Sequence, residues 1–251
     1  LADKLAGKPW VTRIPFPVHV VERVETYDRI SRRLFVTRYT YHHGYFDGVE
    51  REFRGFGLVE QFDTEELETL SHSNVFPTGS NVEASSHVPP VKTKSWFHTG
   101  VYLGRGHISD FFAGLIDERD DGEYDREPGL SDDQARALLL EDSVLPSGLT
   151  IDEEREACRA LKGSLLRQEV YALDKTDKEP LPYTVTEQNF SVKRLQARGE
   201  NRHAVFLTHA REEIVYNYER TVVPVLAGQV VDEATDRLFD QIIESLPSLP
   251  S

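Results

Sequence analysis

The chain has 251 residues with 29 Lys and Arg against 43 Asp and Glu, a formal net charge of −14, and is 39% hydrophobic and 29% charged. That length can bury the core of one large domain or two small ones; the acidity argues against a nucleic-acid reader and against contact with an anionic membrane surface, since both need clustered cations. No apolar run approaches the roughly 20 residues of a membrane-spanning helix, and a single cysteine, Cys158, leaves no internal disulfide framework and no Cys-cluster zinc site.

Val11 to Val24 mixes apolar and polar residues; Pro15 and Pro17 lack the N–H of a ladder, so the first half is expected as an edge or an irregular extended segment. From Ile30 to Tyr41, Leu34, Val36, Arg38 and Thr40 alternate with Phe35, Thr37, Tyr39 and Tyr41, the period of a half-buried strand. His42-His43-Gly44 is expected to interrupt it, and Asp47-Gly48 offers a turn. Val49 to Arg54 resumes strand character, and Leu58 to Phe62 follows Gly55-Phe56-Gly57 as another short strand. A short helix over Glu65 to His72 and a polar loop from Ser71 to Pro90 come next. Lys94 to Leu103 reads as a strand ending in a Gly104-Arg105-Gly106 turn, and Asp117 to Asp125 as a solvated acidic loop.

Two helix starts carry capping boxes: Ser131 with Gln134, followed by the helix formers Ala135 to Leu140, and Thr150 with Glu153. The second helix is expected to run through Leu161 and stop at Gly163. Strands return at Ser164 to Leu173, Tyr183 to Leu195 and His203 to Tyr218. A strand-like apolar stretch over 222–231 precedes a helix over 232–246, where Ala234, Leu238, Ile242 and Leu246 recur at four-residue spacing. The expected architecture is mainly β, a twisted antiparallel sheet with a short helical insertion near 131–163 and a C-terminal helix.

Candidate chemistry is sparse. His42 and His43 stand near Asp47, Glu50 and Glu52, but adjacent strand residues point to opposite faces and share a metal only if the chain reverses there. His98, His107 and Asp110 form a second group with no nucleophile to activate; His98 reads as a buried strand end satisfying a backbone carbonyl. His203 and His209 fall on one face of a strand, too far apart for one ion, and Cys158 reads as helix core. The glycines of Gly100 to Gly106 lack the order of a phosphate loop, and Asp120-Asp121-Gly122 lacks that of a calcium loop. No residue is assigned a catalytic, cofactor-binding or metal-ligating role.

Longer contiguous strings say more. Pro9 to Arg13 with Pro15 to Val21, Arg38 to Gly57, Thr93 to Gly100, Glu127 to Asp132, Asp152 to Tyr171 and Pro182 to Phe190 resemble the middle to C-terminal region of the B component of insecticidal toxin complexes (Tc toxins, TcdB/SpvB type). The resemblance implies a non-enzymatic segment, residues 1–220, of a β-shell of Rhs/YD-repeat type, with 221–251 as a divergent tail. Its implied partners are the rest of the B component (propeller and repeat shell), a C component with its cytotoxic effector, and an A-component translocation channel. No cofactor, nucleic acid or membrane contact is implied, and the complex acts outside the cell that makes it, after a cytoplasmic stage. Tyr39-x-Tyr41 with Tyr45-x-Asp47-Gly48 is akin to a YD-type hairpin, and Tyr216-x-Tyr218-Glu219-Arg220 to the start of another. The alternative is an autonomous β-rich module binding carbohydrate or a partner protein through Tyr39, Tyr41, Tyr45 and Phe46. The absence of any methionine is what a piece of a longer polypeptide would show.

Overall fold

The long aromatic and β-branched runs pair into the central hairpin of the computed structural model, which describes residues 14–30, 33–65, 89–114, 122–220 and 225–226. Strand β2 (Arg33–Asp47) lies antiparallel to β3 (Glu52–Glu65), in register from Phe35↔Glu65 to Asp47↔Glu52. Neither strand breaks at its glycines as the sequence led us to expect. The irregularity is absorbed as a bulge: the register shifts between Gly44 and Phe46, with His43 at φ 54° and Gly55 at φ 94°. Such an extra residue bends and twists a strand without ending it. Asp47 closes the hairpin as expected, its Oδ1 accepting the N–H groups of Val49 (2.9 Å) and Glu50 (3.1 Å).

Among the described residues eight strands, those of the hairpin included, pair antiparallel in sequence order, the expected meander. Strand β1 (Arg23–Asp28) starts later than read from the sequence; residues 14–22 run extended outside the ladder, where Pro15 and Pro17 cost no hydrogen bond. Strand β4 (Val91–Phe97) ends six residues earlier than expected, after a register shift between Trp96 and Phe97 turns the chain off the sheet. The helical insertion follows, with α1 (Asp132–Ala137) and α2 (Ile151–Ala160), then β5 (Leu165–Ala172), β6 (Thr184–Gln196), β7 (Val205–Asn217) and the short β8 (Val225–Leu226). The helix expected beyond Glu65, most of the Ser71–Pro90 loop and the tail helix 232–246 lie outside the described residues.

The chain between β4 and β5 caps one face of the sheet. Trp96, Leu161, Ala157 and Cys158 are fully buried there, packed with Ile108, Phe112, Leu166, Phe190 and Val192. Both capping boxes form, at Ser131 and Thr150. Helix α1 stops short of Leu140, because the Leu140 N–H is taken by Glu187 on the sheet at 2.8 Å. Helix α2 ends as expected: Gly163, at φ 85°, donates its N–H to the His98 carbonyl at 2.8 Å. The cap approaches closely at Gly57, where an added Cβ would stand 2.7 Å from the Phe112 ring. The described end of the acidic run is not solvated loop: Tyr124 is buried edge-on to Trp96 with ring centroids 5.1 Å apart, and Glu123 accepts the Trp96 Nε1–H. Those residues give the cap its floor.

Candidate functional site

The left-handed backbone at His43 supplies the reversal that two adjacent histidines need to share a side, and both rings project toward the cap with centroids 6.4 Å apart. They bind no common partner. His42 Nε2 lies 3.1 Å from Glu60, and His43 Nε2 2.7 Å from Glu123. Glu60 also accepts from Lys92 at 2.6 Å and Thr40 at 3.0 Å. Burial acts to raise Glu60, but the hydrogen bonds from Lys92, His42 and Thr40 outweigh it and hold the carboxyl at about 2. Among the described residues no three His, Cys, Asp or Glu side chains converge as a metal site.

Asp47, Glu50 and Glu52 dock the hairpin tip on the cap. Lys162 reaches Glu52 at 2.8 Å, Arg159 reaches Glu50 at 3.4 Å, and Arg155 lies 3.9 Å from Asp47. Buried Arg54 bridges Asp47 (2.8 Å) and the Gly100 carbonyl (2.9 Å). Burial acts to raise Asp47; the backbone N–H groups of Glu50 and Val49, with Arg54, bring it below the ordinary carboxylate value. Gly100 has no room for a side chain: at φ 75° its Cβ would lie 2.7 Å from Arg54 Nη1 and 3.1 Å from the Arg159 Cα. Gly100→Ala is therefore expected to destabilise the chain by about 2 kcal/mol, read as a lower urea midpoint at unchanged slope.

The remaining candidates are held locally. His98, 1% exposed, satisfies the Ile108 carbonyl through Nε2 at 2.7 Å and accepts the Gly100 N–H at Nδ1 at 2.8 Å. His107 contacts both oxygens of Asp110 at 3.1 Å. His203 lies ahead of β7 rather than on it, because its Nδ1 is drawn to Glu156 on α2 at 2.8 Å; it therefore shares no strand face with His209. Burial, then Asp142 and Glu154, push the Cys158 thiol up to about 12, so it is core rather than nucleophile.

The feature that residue-by-residue reading missed is a charge cluster between sheet and cap. Arg167 and Glu169 on β5 and Glu187 on β6 are 4%, 0% and 7% exposed. Arg167 reaches Glu169 through Nε at 2.8 Å and Glu187 through Nη1 at 2.9 Å, and lies over the Tyr124 ring at 4.7 Å. Each carboxylate also fastens the cap's backbone: Glu169 accepts the Asp125 N–H and Glu187 the Leu140 N–H, both at 2.8 Å. Tyr171 donates to Glu169 at 2.6 Å. Burial acts to lower Arg167, but Glu169 and Glu187 outweigh it, and the guanidinium stays charged. Burial raises Glu187 despite Arg167; burial and then Glu169 push Asp125 up to about 6. Its only sequence signal is the i, i+2, i+4 spacing of Arg167, Glu169 and Tyr171, one face of a strand.

Beside it, the Tyr216 hydroxyl donates to the Leu138 carbonyl at 2.8 Å, and Arg220 grips Asp174 with two bonds of 2.6 and 2.9 Å. These polar groups are turned on the chain's own backbone, and none forms a nucleophile and base pair. Fold and site together define a β-sheet unit whose buried charges fasten a loop-and-helix cap.

Residues 1–100 match the family described as "Insecticide toxin TcdB middle/N-terminal region", and residues 156–230 match "Insecticide toxin TcdB middle/C-terminal region". The chain belongs to the middle region of the Tc-toxin B component and spans the junction of those two parts. No curated protein matches. Among solved structures, it is similar to a TcdB2-TccC3-TEV crystal structure, with 31% identity and TM-score 0.63 over 88% of this chain and 9% of that one. It is likewise similar to a TcdB2-TccC3-Cdc42 crystal structure, with 28% identity and TM-score 0.64 over 91% of this chain and 10% of that one. A Photorhabdus luminescens Tc holotoxin pore structure matches with 32% identity and TM-score 0.63 over 90% of this chain and 9% of that one. The chain thus spans about a tenth of the length of these relatives.

Proposed function

We propose that the chain is a non-enzymatic wall segment of a Tc-toxin B-type component, part of the β-shell that encloses a cytotoxic effector on a C component for delivery through an A-component channel. The observation that carries this reading is the similarity, over nine-tenths of the chain, to a small part of proteins solved as TcdB2-TccC3 assemblies. A sequential meander suits the role, because it grows by adding strands and ends exposed edges by joining neighbours. In this reading 1–220 is wall, capped by the chain between β4 and β5 that carries the helical insertion near 131–163, and 221–251 is a divergent tail. The Asp47 turn corresponds to a YD-type hairpin, its carboxylate sealing the loop at 2.9 and 3.1 Å.

Of the aromatics that could have served a binding module, Tyr39, Tyr41 and Phe46, though not Tyr45, stand in a row on the uncapped face with Phe56 and Phe53. Phe16 stacks edge-on to Phe46 and Phe53 at 5.2 and 6.4 Å, and Tyr41 donates to the Val21 carbonyl at 3.0 Å, so residues 14–22 occupy that row. The wall reading is tested by exchanging this segment for its counterpart in TcdB2 and expressing the chimaera with TccC3. Co-purification with a protease-resistant effector is expected; a folded chimaera that leaves the effector digestible would refute it.

A further inference from the structure

The two faces of the sheet divide their charges in an unusual way. Along the paired stretches 58–63, 91–96, 167–172 and 184–188, side chains alternate between a capped and an uncapped face. The capped face takes Glu60, Lys92, Lys94, Arg167, Glu169 and Glu187. Among the described residues of those stretches, the uncapped face carries one charge, Asp63, and otherwise Val, Ala, Ser, Thr and Gln. In a chain that is 29% charged, this reverses the usual arrangement of apolar residues inward and charges outward.

The polar groups of the uncapped face are bonded sideways to one another. Gln168 donates to Ser95 at 3.1 Å, Thr37 and Gln61 both donate to Asp63 at 2.7 Å, and Gln188 donates at 2.6 Å to Glu213 on β7, the carboxylate that bounds the stretch. Its side chains are half-buried, with Ala172 fully so. The result is too polar for a packed core and too poor in charge for a face exposed to bulk water. The cap, in contrast, turns Asp132, Asp133, Arg136 and Glu141 outward, all exposed. A wall has two environments, and these surfaces match them: an ionic one for solvent and a neutral one for what the wall encloses.

We infer that the uncapped face of β3 to β6 is the inner lining, in contact with the polypeptide of the enclosed effector, and that the cap is the outer surface. The inference rests on the wall reading above. A neutral hydroxyl and amide lining neither attracts nor repels cargo by its net charge, whereas a charged lining in a confined space would favour one sign of cargo and trap it. The occupant this chemistry fits is therefore a polypeptide of unrestricted charge rather than an anionic or cationic ligand.

The test uses a full B component carrying this segment, with single cysteines introduced as Thr93→Cys and Thr186→Cys on the uncapped face and Arg136→Cys on the cap. Ser95→Cys is a nearly isosteric fourth site, and native Cys158 is buried. Each is treated with a bulky maleimide-polyethylene glycol before and after assembly with the C component. Position 136 is expected to label in both states, whereas 93, 95 and 186 should lose labelling on assembly and cross-link to the effector with a short bifunctional maleimide. A complex that forms with 93, 95 and 186 still labelled, or with 136 protected in their place, overturns the assignment of faces while leaving the wall reading intact. If the unsubstituted protein forms no complex, both fall together.

Discussion

Replacing Arg167 by methionine is expected to destabilise the chain by about 3–5 kcal/mol, the range for removing one partner from a buried ion pair. The guanidinium is held by Glu169, Glu187 and the Asp125 carbonyl, the last at 3.2 Å. Methionine fills much of the same volume but leaves two carboxylates facing each other behind the cap, 0% and 7% exposed. They cannot easily turn to water, because each also holds a cap N–H. The loss should shrink on acidification, because Glu187, which burial already raises, takes up a proton and relieves the repulsion. Combining Arg167→Met with Glu187→Gln should restore part of it, since the amide oxygen can still accept the Leu140 N–H. Urea unfolding followed by circular dichroism measures all three proteins. A loss below about 1 kcal/mol for Arg167→Met would mean that water reaches the cluster and that it does not fasten the cap.

That cluster also marks the limit of what the sequence discloses. Both capping boxes could be read directly, because Ser131 with Gln134 and Thr150 with Glu153 act within one turn and need nothing from the rest of the fold. The alternation from Ile30 to Tyr41 and the Asp47 turn were legible for the same reason. His43 was not: its left-handed backbone accompanies a bulge at Gly44, whose missing Cβ leaves room for Ile14, a residue distant in sequence. The acidic run misled because Tyr124 and Asp125 are fixed by Trp96, Glu169 and Arg167, none of them nearby in the chain. For β5 hydropathy points the wrong way, since Arg167 and Glu169 would be turned to solvent by any rule that keeps charge outside. Only the register with β4 and β6 shows them inward. The family was legible throughout, because strings such as Arg38 to Gly57 hold the combined outcome of contacts that no local rule contains.

Acidification is expected to weaken the fold through His98, and His98→Gln should remove that component. Burial is the main cause lowering His98, from an ordinary 6.5 to about 4, with the Ile108 carbonyl and Asp142 opposing it. The folded state therefore holds the ring neutral, with Nδ1 accepting from Gly100 and Nε2 donating to Ile108. A group depressed on folding contributes stability that is present above its unfolded value, about 6.5, and is lost as the pH falls toward 4. The shift corresponds to about 3 kcal/mol across that window. Asp125 acts in the opposite sense: pushed up to about 6 from 3.8, it costs stability as the pH rises through 6 and returns it on acidification, so the wild-type profile is shallower than His98 alone would make it. Glu60, held at about 2, begins to lose its share below 4.5. Both carboxylates are present in the variant as well, so subtracting the two profiles isolates the histidine. Glutamine keeps one acceptor and one donor for Gly100 and Ile108 but does not titrate. Urea midpoints at intervals from pH 7 to 4 should show the wild type losing stability relative to the variant as the pH falls, and parallel profiles would show that His98 takes up its proton as readily in the folded chain as in the unfolded one.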